Sequence, residues 1–313
     1  MTPQGLVVVD NNSTNGIYVG GQRVPHVLVT KPTVIGMGGH FVEVSPDGLL
    51  KLQERGGELV ARDLTFSVDH GRLTLLNGIS FALPGNELLA VVGPSGAGKS
   101  TLLKALTGEQ KAQKGQVLFN GMDVYEHYEV LRNMIGVVPQ NDVIHADLTV
   151  RQTLQYAAEL RFAKDVSKKE RAERIAEVLE DLDLTEHVSK RVKKLSGGQR
   201  KRAFVARAIA QGARLLLLDE PFAGVDKRSE SMLIQVLKQM RSEGATVLVS
   251  THDLASLRAF ADDALLLRQT ILMHDTPQAV LAPENLVQAF GMQVQAGADS
   301  GASDEQTWRE KGE

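Results

Sequence analysis

The chain contains no cysteine, which excludes disulfides and thiolate metal sites and fits a reducing compartment. Long hydrophobic runs are missing as well. No window approaches the roughly 18 consecutive apolar residues that a membrane-spanning helix needs, and the runs Leu88–Val92 and Leu215–Leu218 have the length of strands. Neither sign of charge is in large excess: 35 Lys and Arg against 38 Asp and Glu leave a formal net charge of −3. No overall basic field therefore argues for a nucleic-acid partner. The start, Met1 to Gly5, lacks a charged region followed by an apolar one, so no signal peptide is expected. What the chain does have is ordinary for a soluble globular protein: 313 residues, 42% hydrophobic and 23% charged, enough for one or two domains with a sizeable core.

One short stretch carries chemistry at once. Gly93-Pro94-Ser95-Gly96-Ala97-Gly98-Lys99-Ser100 fits the phosphate-loop pattern G-x-x-x-x-G-K-[ST]. Before it, Glu87–Val92 reads as a buried strand. After it, Ser100, Thr101 and the residues to Leu106 read as a helix stopped near Gly108. Strand, glycine loop and helix aim backbone N–H groups and a helix N-terminus at phosphate oxygens. Lys99 adds a point charge near the β- and γ-phosphates, and the Ser100 hydroxyl suits Mg²⁺. A nucleoside triphosphate is the expected ligand.

A second stretch, Leu195-Ser196-Gly197-Gly198-Gln199 followed by Arg200-Lys201-Arg202, resembles the signature motif of ATP-binding-cassette (ABC) proteins. Further landmarks of that family stand in order. Gln140 resembles the Q-loop glutamine, and Asp219-Glu220, after Leu215–Leu218, resembles the Walker B pair. Ala223-Gly224-Val225-Asp226 resembles the D-loop, and His252 the switch histidine. The resemblance covers residues 58–292. It implies ATP hydrolysis with Asp219, Ser100 and Gln140 near Mg²⁺, Glu220 as general base and His252 on the γ-phosphate. A helix N-cap acid ahead of Pro221 is the plainer reading of Glu220. Ser196, Gly197, Gly198 and Gln199 form a second phosphate cradle, because glycines expose N–H groups at the start of a helix. In the family that cradle closes on the nucleotide of another subunit, and the resemblance makes the D-loop residue Asp226 a further nucleotide-binding residue. This implies a head-to-tail homodimer with two ATP molecules, a transmembrane permease partner and a place on the cytoplasmic face of the membrane. The basic run Lys190, Arg191, Lys193, Lys194 and Arg200–Arg202 reads as a solvated face or as help for that phosphate.

The expected fold class is α/β: a P-loop NTPase core with an antiparallel β subdomain and a helical subdomain, preceded by a small all-β remnant. Apolar spacing puts helices at Val150–Ala163 and Arg171–Leu184, inside a helical subdomain of about residues 141–194. βαβ alternation resumes after Leu195 and places the ligand at the carboxyl ends of parallel strands. Residues 1–48 carry short β runs punctuated by Gly pairs. Asp10 to Gly21 resembles the late strands of a forkhead-associated (FHA) domain. The phosphate-binding early strands of that family have no counterpart, so the strands are expected to leave a face unburied and to bind no phosphothreonine. Residues 49–57 are the expected linker, and residues 293–313 an expected disordered tail.

Two departures from the family pattern stand out. The adenine-stacking position holds Val68 rather than an aromatic. The two halves also resemble different branches: residues 1–202 are similar to FHA-fused G-subfamily and ABC-2 exporters, and residues 203–292 to manganese/zinc importers. A natural mosaic and an engineered chimera both fit this change near residues 199–203. A soluble, non-transport ABC ATPase and a phosphopeptide module with an incidental cassette are the rival functions. The pore-facing stretch, about residues 140–160, carries the exporter-like pattern, which favours an ABC-2-type pore.

Overall fold

The first part of the chain builds a β unit with its own core. The computed structural model describes residues 5–13, 16–19, 22–37, 40–53, 57–140, 146–161 and 166–291. The expected tail, 293–313, lies outside them. Strands β1 (Leu6–Val9), β2 (Ile17–Val19), β3 (Gln22–Val24), β4 (His26–Val29), β5 (Thr33–Met37), β6 (His40–Val44) and β7 (Leu50–Gln53) form two antiparallel sheets. One pairs β1 with β4, and the other runs β3-β2-β5-β6-β7. Alternation in β1 turns Leu6 and Val8 inward and Val7 and Val9 outward. Ile17, Val29, Ile35, Val42 and Val44, drawn from both sheets, are buried together. The inward faces cover one another, while apolar Val7, Val9, Leu28 and Val34 stay exposed, as the expectation of an unburied face has it. β7 also falls inside the stretch expected as linker, because Leu50-Lys51-Leu52-Gln53 alternates and pairs with β6.

The next strands are β8 (Leu59–Val68), β9 (Leu73–Leu83) and β10 (Leu88–Val92), followed by helix α1 (Lys99–Thr107). Then come β11 (Lys114–Phe119), β12 (Met122–Asp123), α2 (Tyr128–Leu131) and β13 (Ile135–Val138). Helices α3 (Val150–Arg161) and α4 (Lys168–Asp181) form the helical region, which leads into α5 (Gly197–Ala210). β14 (Leu215–Asp219), α6 (Lys227–Ser242), β15 (Thr246–Thr251) and α7 (Leu257–Phe260) follow. The described chain closes with β16 (Asp263–Arg268), β17 (Thr270–Asp275), α8 (Pro277–Val280) and α9 (Pro283–Phe290). β12-β11-β8-β9 is an antiparallel sheet, and β13-β14-β15-β10-β16-β17 is parallel except for β17.

The apolar strands explain why the second sheet sits at the centre. Every residue of β10 and β14 is buried, as in a sheet covered on both faces. Leu88, Ala90 and Val92 join one core with α5, α6 and the helical region. Leu89 and Val91 join the other, with α1 and the antiparallel sheet. β14, β15 and β16 divide their side chains in the same way. α4 starts three residues before its expected position because Ser167 and Glu170 make a reciprocal capping box. No helix among the described residues is long and apolar enough to cross a membrane.

Candidate functional site

Register brings the chemistry-bearing ends together. Val92 at the end of β10 lies level with Thr251 of β15, and Ser250 of β15 lies level with Asp219 of β14. The phosphate loop, the Asp219-Glu220 pair and His252 therefore emerge at one edge of the sheet. Gly98 turns the loop into α1 at φ +98°, and a Cβ there would stand 2.5 Å from the Leu75 carbonyl oxygen, so the turn requires glycine. Lys99 is buried. Its ammonium donates to Gly93 O at 2.8 Å and Pro94 O at 3.1 Å, and lies 3.7 Å from Glu220 Oε1.

Glu220 sits at φ +50°, a left-handed conformation rare for a residue with a long side chain. Its N–H is shared by Ser250 O at 3.1 Å and Ser250 Oγ at 3.2 Å. The Ser250 hydroxyl in turn donates to Asp219 Oδ1, so one serine ties both acids to β15. Glu220 Oε2 accepts from His252 Nδ1 at 2.8 Å and from His252 N at 3.3 Å. Carboxylates only accept, so Nδ1 carries a hydrogen. The Glu220 side chain is 7% exposed and that of His252 62%: the acid is buried and the imidazole faces solvent. Glu220 is not a helix cap, since the following helix, α6, is capped by Asp226.

Gln140 is exposed just beyond β13, and its carbonyl accepts from Lys201 Nζ at 3.0 Å. The same ammonium lies 3.4 Å from the Glu220 carbonyl. Lys201 thus links the second residue after β13, the first residue after β14 and helix α5. Residues 141–145, where the expected pore-facing stretch begins, lie outside the described residues.

Ser196, Gly197, Gly198 and Gln199 open α5, with Ser196 as N-cap and Gln199 completing a capping box. They form a second cluster with Asp226. A Cβ on Gly198 would stand 2.6 Å from Ser229 Oγ and 2.9 Å from Asp226 Oδ2. Asp226 accepts from Ser229 N and Ser229 Oγ, each at 2.9 Å. Those two bonds, the backbone one first, hold its carboxyl below the usual carboxylate range. Gly198→Val should destabilise the chain by about 1–3 kcal/mol through overpacking, read as a lower denaturant midpoint. An unchanged midpoint would mean that the cluster yields freely.

Lys201, Ser250 and His187, which meets Gln199 at 2.9 Å, are contributors that the motifs did not single out. Ser250 had only its place at a strand end as a signal. The basic run is not one solvated face. Arg202 is buried, with its guanidinium on Leu182 O at 2.9 Å and Asp183 Oδ2 at 3.3 Å. Arg191 and Lys193 pair with Asp147, and Lys201 enters the site.

Comparison with known proteins fits this geometry. The family model described as ABC transporter matches residues 76–223. An ABC transporter ATP-binding/permease protein of Mycobacterium tuberculosis is 44% identical over 272 residues, 85% of this chain. The chain spans only 31% of that protein's length. At 85% coverage the match runs across residues 199–203, where the sequence pattern changes. A manganese transport system ATP-binding protein of Synechocystis is 37% identical over 235 residues, 73% of this chain and 88% of that protein. Among solved structures, a dimeric ATP-binding cassette in a post-hydrolysis state with ADP and Pi superposes with a TM-score of 0.65 at 25% identity. It covers 70% of this chain and 98% of that one.

Proposed function

The chain belongs to the ABC transporter family of ATP-binding cassettes, and on that premise we propose that its ATP hydrolysis drives transport through a membrane pore. The observation that carries the proposal is the meeting of Lys99, Glu220 and His252 at one strand-end edge, with Glu220 held from both sides. Residues Gly93 to Thr101 cradle the phosphates of ATP. Lys99 exchanges the Gly93 and Pro94 carbonyls for phosphate oxygens. Ser100, Asp219 and Gln140 offer hydroxyl, carboxylate and amide oxygens, hard donors that suit Mg²⁺. Bound there, Mg²⁺ would neutralise charge on the β- and γ-phosphates.

Glu220 takes the proton of the attacking water. His252 fixes Oε2, which leaves Oε1 for that water once Lys99 has moved to phosphate. The left-handed backbone, the bonds its N–H donates to Ser250 and the His252 contact keep the carboxylate in position, so little reorganisation is needed during the reaction. The Ser196–Gln199 cradle serves a nucleotide on a second copy, with Asp226 beside it. Two copies then close head to tail over two ATP molecules at the cytoplasmic membrane face.

The exporter-like pattern up to Arg202 favours an ABC-2-type pore, and the 44% identity to an ATP-binding/permease protein fits a pore on the same polypeptide. In vesicles, such a pore should raise Mg-ATP turnover more than a manganese-importer pore does. Substitutions from Asn141 to Ala146 should weaken that stimulation and spare basal turnover. Stimulation by the manganese-importer pore alone would transfer the chain to metal import.

A further inference from the structure

Gln199 is held by three contacts. Its backbone N–H donates to Ser196 Oγ at 3.3 Å, and its Oε1 accepts from Ser196 N–H at 3.0 Å. Its Nε2 lies 2.9 Å from His187 Nε2. A backbone N–H only donates, so the amide atom facing Ser196 is oxygen and the group facing His187 is NH₂. That group also only donates. His187 Nε2 must therefore accept, which makes the imidazole neutral with its hydrogen on Nδ1. Nδ1 is buried and has no hydrogen-bond partner among the described residues. Gln199 alone sets the tautomer.

The backbone around His187 is fixed in turn. Its N–H donates to Leu184 O at 2.8 Å and its carbonyl accepts from Lys190 N at 2.9 Å. The residues that follow are laced to the start of α3. Arg151 N donates to Val188 O and Val150 N to Lys190 O, both at 3.0 Å, and Val192 N donates to Leu148 O at 2.9 Å. The ring thus stands on a segment bound to the helical region and reaches across to the first turn of α5.

We propose that His187 is a positioning residue for the Ser196–Gln199 cradle, locking the Gln199 amide so that the capping box holds its shape. The inference rests on the reading of that cradle as the site for a nucleotide on a second copy. Flipping the amide would set its oxygen against the Nε2 lone pair and its NH₂ against Ser196 N–H. Both encounters are repulsive, so the ring leaves one orientation. The box then occupies the N–H of Ser196 and of Gln199, while Gly197 and Gly198 keep the N–H groups that a helix start leaves unpaired.

The test uses the full chain carrying Glu220→Gln, with His187→Leu or His187→Gln added. Leu removes the acceptor; Gln restores an amide oxygen near the Nε2 position. His187→Leu should raise the Mg-ATP concentration for half-dimerisation about tenfold, the size of one hydrogen bond. His187→Gln should return it to within about twofold of the parent by the same measure. Binding of a fluorescent ATP analogue to the monomer should be equal in all three. A long-range proton–nitrogen NMR spectrum should find the His187 hydrogen on Nδ1. A hydrogen on Nε2, an unshifted His187→Leu, or a His187→Gln as poor as Leu would overturn the assignment alone. Failure of the parent Glu220→Gln chain to dimerise would overturn the cradle reading, and the assignment with it.

Discussion

Glu220→Gln is expected to cut Mg-ATP turnover by about 10²–10⁴-fold, the usual contribution of a positioned general base, while ATP binding persists. The substitution keeps the volume of a side chain that is 7% exposed. Its amide oxygen still accepts from His252, and the Ser250 bonds to the backbone N–H of residue 220 are untouched. Only the capacity to take a proton is lost. With hydrolysis stopped, the two-copy closed form should accumulate in Mg-ATP and appear as a dimer on sizing. Phosphate release at the wild-type rate would remove Glu220 as the base.

Lys99→Met should abolish measurable ATP binding and also weaken the fold. The ammonium is buried against Glu220 and two loop carbonyls. Removing one member of a buried ion pair leaves the other uncompensated, at a cost of about 3–5 kcal/mol. Adding Glu220→Gln removes the stranded charge, so the double variant should regain part of the lost stability, because contacting residues couple. It should not regain nucleotide. Calorimetric titration with ATP and denaturant midpoints for the four chains separate the two effects. ATP affinity retained in Lys99→Met would show that the lysine is not the phosphate contact.

Much of the site was legible because its motifs are local. The glycine loop, the strand before it and the helix after it occupy one continuous stretch. Residues whose role depends on distant partners were not legible. Lys201 looked like one charge in a basic run, since nothing local says that α5 aims it at carbonyls after β13 and β14. His187 looked like any histidine, because its partner Gln199 stands 12 residues further on, in α5. The left-handed backbone of Glu220 is likewise set by Ser250 on another strand. In the β unit, β7 was hidden by flanking Pro, Gly and charged residues, and its short alternation gained meaning only through pairing with β6.

The order of the central sheet dictates when the chain can work. β10, which ends in the phosphate loop, is flanked by β15 and β16, and Leu88 pairs with Val247, about 160 residues later. At ribosomal rates of roughly 5–20 residues per second, the loop's strand waits on the order of ten seconds for either neighbour. The antiparallel hairpin of β8 and β9 can close meanwhile, since its pairs are near in sequence. β10 must meanwhile stay an apolar ribbon with two open edges, which suits a chaperone client. The phosphate loop is thus translated well before both strands that flank β10, so its seat in the sheet is completed late.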